Sequence, residues 1–206
     1  SRRAVQRVVL EGRRATGVEY RDHRGGLHRV QAAKEVLLCA GAIQSPQLLM
    51  LSGIGPAPQL QQLGIPVLSH APGVGQNLQD HCTAPLSWKL KSADQSMNRS
   101  FTGMRMLWSL LRYGLSRQGP LTTPPAELGM YLKTDPSLPY QDVQVFGLPM
   151  SADPGSRKHS SAAMKPDVFG GMTLAPYQVR PYSRGSITLK TSHAADYPAI
   201  RMNYLH

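Results

Sequence analysis

Residues 36–55 read VLLCAGAIQSPQLLMLSGIG, and this stretch decides the fold. VLLCA (36–40) is apolar at every position, which suits a strand buried on both faces. Gly41-Ala42 follow at once as a turn. Ser45 is a candidate N-cap and Pro46 a first helical residue, where the missing N–H costs nothing. QLLMLSG then runs on as a short helix that stops at Gly53. The unit is strand, glycine turn, helix N-terminus. There backbone can approach a flat ligand, and helix N–H groups can face negative charge. An ordinary βα junction has the same pattern, so the turn alone leaves both readings open.

Upstream, AVQRVVL (4–10) and ATGVEYRD (15–22) read as strands, and HRGG (23–26) as a Gly-Gly hairpin signal. The first forty residues are thus expected to be a β-meander feeding the buried strand. Downstream, PAPQLQQLG (56–64) predicts a short helix with Leu60 and Leu63 inward. A strand and a Gly-rich loop follow over 65–81. Gly73-x-Gly75 lacks the third glycine of a dinucleotide fingerprint. Asn77, Asp80 and His81 in that loop can tie backbone together or line a site.

The texture changes near 82–84, where a domain boundary is expected. Strands are predicted over 83–91, 128–134, 142–150, 168–179 and 185–192, the last two in one antiparallel sheet. Between them, 96–118 carries Met104, Leu107, Leu111 and Leu115 at helical spacing, a stripe expected to face the core. A Pro-rich loop (119–127) and a small, polar loop (151–167) complete the pattern.

Composition limits the classes. The 206 residues are 41% hydrophobic and 17% charged, enough for a packed core and too few charges for a long disordered tail. Gly and Pro are frequent (19 and 17), against a helical bundle. Two Cys make no disulfide framework, and no apolar run reaches membrane-spanning length. A cytoplasmic protein is expected. The net charge of +11 raises nucleic-acid binding as an alternative. The cations are scattered, however, and no RNA- or DNA-reading motif occurs, so no nucleic-acid partner is expected. The seven His are dispersed and the acids do not pair, so no metal site is expected.

GAIQSPQLLMLSGIG (41–55) resembles the second signature of the glucose–methanol–choline (GMC) oxidoreductases. RRATGVEY (13–20), PGVGQNLQDH (72–81) and PYSRGSITLKTSHAADYPAIRMNYL (181–205) resemble further family stretches in the right order. Choline dehydrogenases and related alcohol dehydrogenases are the members it is most similar to. The resemblance implies an α+β (mixed α/β) fold. Residues 1–82 would be part of an FAD-binding domain, and 83–206 a substrate-binding domain with an antiparallel sheet and helices. It implies FAD as cofactor and a small-molecule alcohol as substrate, with hydride passing from the alcohol carbon to the flavin.

Residue by residue, the resemblance places Val5 against the adenine end of FAD, and Ala40, Gly41 and Ala42 at the turn nearest the dinucleotide. Glu127 falls where choline-type enzymes carry a substrate-side acid, although Gly129-Met130-Tyr131 departs from the family pattern beside it, and a surface Glu is the plainer reading. No catalytic residue is assigned. The family's opening GxGxxG and its C-terminal catalytic His have no counterpart in these residues. The chain is therefore expected to correspond to the middle of such an enzyme and to be inactive and poorly soluble by itself. The full-length enzyme would have a peripheral association with a membrane or electron acceptor. A truncated, non-catalytic binding module is the alternative.

Overall fold

In a computed structural model, residues 4–122, 126–152 and 165–206 are described. Most of the loop expected over 151–167 and part of the Pro-rich loop fall outside them. The described chain divides into two compact units, 1–80 with 181–206, and 81–180.

The first unit opens with β1 (Ala4–Glu11), β2 (Arg14–Arg21) and β3 (Leu27–Gln31), an antiparallel meander in that order. The second hairpin closes as its sequence predicts. The Asp22 carboxylate accepts from the N–H groups of Arg24 (2.8 Å) and Gly26 (2.9 Å), and pairs with His28 Nε2 at 2.8 Å. Arg7–Glu19 (2.7 Å) and Arg29–Glu11 (2.9 Å) are ion pairs between strands.

VLLCA is not the expected buried strand. Residues 36–40 are irregular, Leu37 is 74% exposed and Cys39 is exposed. A strand buried on both faces needs a neighbour on each side, and among the described residues none pairs with it.

Helix α1 (Gly41–Leu51) begins before the predicted start, with Ala40 as N-cap and Pro46 inside. The Ser45 hydroxyl instead accepts from the Ala40 N–H at 3.2 Å. After it come β4 (Ile54–Gly55), α2 (Ala57–Gln62), β5 (Ser69–His70) and β6 (Gln76–Leu78). Strands β4 and β5 pair in parallel. Met50 of α1 and Leu60 of α2 are fully buried and form a core with Ile65, Ile187 and Leu189.

Ile187 marks a correction. The sequence reading assigned all of 83–206 to a second domain and put 168–179 and 185–192 in one sheet. The chain instead returns to the first unit after Arg180. There β11 (Gly185–Thr188) pairs antiparallel with β6 and with β12 (Ala199–Arg201). Backbone contact holds it there. Ile187 N–H donates to Gly75 O at 2.6 Å, and a Cβ on Gly75 would lie 2.2 Å from Ile187 O. The buried Gln47 amide adds a 2.8 Å bond to Asp196 O.

The second unit is a four-stranded antiparallel sheet in the order β7 (Leu86–Lys89), β10 (Gly171–Gln178), β9 (Val143–Leu148), β8 (Leu128–Leu132). Helix α3 (Gly103–Ser116) lies between β7 and β8 in sequence. Buried Asn98 knots this unit. Its Nδ2 donates to Phe169 O (2.7 Å), Asp167 O and Ser151 Oγ, and its Oδ1 accepts from the Ser151 N–H (2.9 Å). The expected core stripe of α3 points the other way. Ser109 is the buried residue, with its hydroxyl on Ser100 O at 3.1 Å, while Met104, Leu107, Leu111 and Leu115 are exposed.

Candidate functional site

The assigned residues fall in both units: Val5 and Ala40–Ala42 in the first, Glu127 in the second. In the first unit Ala40, Gly41 and Ala42 form the N-terminus of α1, and all three are exposed. No side chain caps this terminus, and its first turn carries no acid. Gly41 has φ +83°, and nothing lies within 4 Å of where its Cβ would stand. The positive φ explains a glycine, and the open space leaves room for a group against the backbone. Helix N–H groups there are free to face an anion.

Val5 is on β1, an edge strand with one row of backbone groups turned away from β2. A register shift between Val5 and Arg7 adds a bulge beside it. Farther along the same edge, Val8 N–H donates to Ser52 Oγ at 2.8 Å, and Ser52 Oγ donates to Leu48 O at 2.6 Å. A buried serine of α1's C-cap thus fixes the helix to the strand.

The Asn77–His81 loop is occupied structurally. Asn77 adopts φ 63°. The Asp80 carboxylate accepts from the Tyr204 hydroxyl at 2.6 Å. His81 Nε2 meets Val179 O at 3.0 Å, and its ring stacks on Tyr177 at 4.6 Å.

In the second unit Glu127 borders a cavity of about 320 Å³. Its N–H donates to Gly147 O at 3.2 Å, which ties the end of the Pro-rich loop to β9. Leu90, Leu128, Leu148, Pro149, Met172 and Leu174 supply the apolar walls. Gly147 pairs with both Leu128 and Leu174, and a Cβ there would lie 3.1 Å from Leu128 Cβ, so its lack of a side chain keeps the floor open. Glu127 is the acid of the lining and has no ion-pair partner among the described residues. The volume suits a small molecule. Sequence reading reached Glu127 but not the walls, because alternation along β9 and β10 shows which residues share a face and not which strands are neighbours.

Among the described residues no three His, Cys, Asp or Glu are placed to hold a metal ion. No described helix is long and apolar enough to cross a membrane.

The fold is that of several solved oxidases. The chain superposes on a formate oxidase with a TM-score of 0.85 and 24% identity, covering 98% of this chain and 39% of that one. It superposes on pyridoxine 4-oxidase from Mesorbium loti with a TM-score of 0.73 and 25% identity, covering 98% of this chain and 34% of that one. The sequence goes further: residues 1–83 match the family described as GMC oxidoreductase. Human mitochondrial choline dehydrogenase is 41% identical over 209 aligned residues, covering 98% of this chain and 32% of the human protein. Oxygen-dependent choline dehydrogenase of Brucella anthropi is 36% identical, covering 98% of this chain and 35% of its own length. The chain thus spans about a third of the length of these relatives.

Proposed function

We propose that this chain is the middle portion of an FAD-dependent oxidoreductase acting on the CH–OH group of a small primary alcohol, with choline the favoured substrate. One observation carries the substrate: a lone carboxylate, Glu127, borders an apolar cavity of about 320 Å³. A quaternary ammonium presents methyl groups and a positive charge together. Apolar walls accept the methyl groups, and the exposed Glu127 carboxylate at the rim offsets the charge from the solvent side.

Gly41 and Ala42 would hold the dinucleotide through backbone N–H groups, with Ala40, whose own N–H is taken by Ser45, lining the same turn, and Val5 would meet its adenine end through the edge of β1. The open space over Gly41 fits such a group. FAD supplies the hydride acceptor, and the protein's part is to bind, orient and exclude water. Within these residues the task of Glu127 is to orient the ammonium end of the substrate, not to move a proton. The 206 residues contain no GxGxxG, so the chain alone would hold flavin weakly and turn over no alcohol.

Kinetics on an FAD-loaded enzyme containing this chain test the substrate reading. With an artificial electron acceptor, Glu127→Gln should raise KM for choline about two- to fivefold, and change KM for the uncharged isostere 3,3-dimethylbutan-1-ol little. Equal effects on both alcohols would remove the ammonium assignment. Stoichiometric flavin that stays with the isolated chain through gel filtration would overturn the claim of weak binding.

A further inference from the structure

We propose that Gly147 is a specificity-determining residue: it sets how broad a head group the cavity beside Glu127 accepts. The proposal rests on the reading of that cavity as the alcohol site and deepens it. A glycine inside a strand weakens the strand, and its usual reason is the close approach of a ligand or of another backbone. Gly147 lies in β9, between β8 and β10. Its φ is outside the left-handed region, so backbone conformation does not require a glycine. Other strand glycines make room for the protein itself. A Cβ on Gly17 or Gly185 would run into a backbone carbonyl, of Val30 or Arg201, and one on Gly171 into the Ser151 hydroxyl. At Gly147 a Cβ would meet side chains alone, Leu128 Cβ at 3.1 Å and Leu128 Cδ1 and Leu174 Cδ2 at 3.6 Å.

What the glycine spares is therefore cavity space. Leu128, Gly147 and Leu174 are direct partners across three strands, and all three line the cavity. They make one row, leucine–glycine–leucine, with a notch in its middle. A branch of the substrate's far end can enter the notch, and a methyl group on residue 147 would fill it. One methyl group more or less in an apolar pocket changes discrimination about tenfold or more. The backbone tolerates that methyl group, because β8 is an edge strand and a small shift of it relieves the 3.1 Å contact with Leu128. The same row gives an opposite lever: shortening Leu174 widens the notch from the β10 side. Glu127 answers to charge and Gly147 to breadth, so uncharged alcohols separate the two.

The test uses an FAD-loaded enzyme containing this chain, an artificial electron acceptor and uncharged primary alcohols that differ at the far end. Gly147→Ala should lower kcat/KM for 3,3-dimethylbutan-1-ol relative to butan-1-ol about tenfold. Leu174→Ala should move the preference the other way, raising kcat/KM for 3,3-diethylpentan-1-ol relative to 3,3-dimethylbutan-1-ol about tenfold. The double variant should regain most of the ratio lost in Gly147→Ala. Flavin absorbance and a melting curve check that each variant is loaded and folded, and Leu174→Ala carries the test if Gly147→Ala does not fold. Unchanged ratios in a loaded, folded variant overturn the proposal. If the parent enzyme oxidises none of these alcohols, the alcohol reading falls and this proposal falls with it. If Glu127→Gln affects choline and its isostere equally while the Gly147→Ala ratio shifts, the ammonium assignment fails and the breadth limit stands.

Discussion

Gly41 and Gly75 both have positive φ, yet they do different work. Gly75 is where β11 meets the loop before β6, with a Cβ position 2.2 Å from the Ile187 carbonyl. Gly75→Ala must push two backbones apart and should abolish folding of the first unit, read as loss of its cooperative melt. Gly41→Ala meets only the left-handed strain of about 1–2 kcal/mol. It should leave the fold and weaken flavin retention in the loaded enzyme.

Asp142 gives a pH prediction at the same scale. Its carboxylate accepts from the Thr134 hydroxyl (2.5 Å) and from the Thr134 N–H (2.8 Å), which hold it below the usual carboxylate range. A depressed folded pKa means stability that is present above the ordinary carboxylate pKa and lost as pH falls through the lowered value. Urea midpoints followed downward from pH 6 should therefore drop, and Asp142→Asn should be less stable at neutral pH with a shallower acid limb. An unchanged acid limb in the variant would remove Asp142 from the account.

At the scale of elements, Asn98 holds the 3₁₀ turn before α3, the end of β9 and the start of β10 with both ends of one side chain. Asn98→Ala strands buried carbonyl and N–H groups and should cost about 2–5 kcal/mol. The loss should appear as early melting of the second unit while the first keeps its transition. The elements also show where sequence reading succeeds. Local turn chemistry made the meander legible, since Asp22 through Gly26 close a hairpin without outside help. The helix carrying Leu60 and Leu63 was legible because its core lies beside it. Residues 36–40 and α3 were misread for one reason: apolar pattern shows that a surface wants cover, not what covers it or on which side. The Met104–Leu115 stripe has ideal periodicity and faces away from the unit's interior. Of the candidate site, the Gly41 turn was legible from the residues themselves and Glu127 through family resemblance, whereas the cavity walls depend on strand order that no local signal records.

At the scale of the molecule, the units differ in what they bury. Met50, Leu60 and Ile187, the large apolar side chains with almost no exposure, all belong to the first. In the second, Asn98 and Ser151 fill that place, and Leu86, Trp88, Leu128 and Met130 are exposed on the sheet. The first unit should therefore be the more stable. The chain leaves it after Asp80 and returns at Pro181, where the Gln79 side-chain oxygen accepts from the Arg184 guanidinium at 2.8 Å and Leu78 pairs with Gly185. Replacing 81–180 by a short Gly-Ser linker should leave a folded first unit with a single cooperative transition. Failure to fold would show that the hundred-residue excursion supports the core it interrupts.

The return of β11 also orders events on the ribosome. Met50 and Leu60 emerge early, but Ile187 and Leu189, which complete their core, follow more than a hundred residues later. All of 81–180 is made in between, so the later unit in the chain is complete before the earlier one can close. At about 5–20 residues per second the half-built core waits on the order of ten seconds with its apolar face open. For that interval the nascent chain is a substrate for whatever chaperone meets it first.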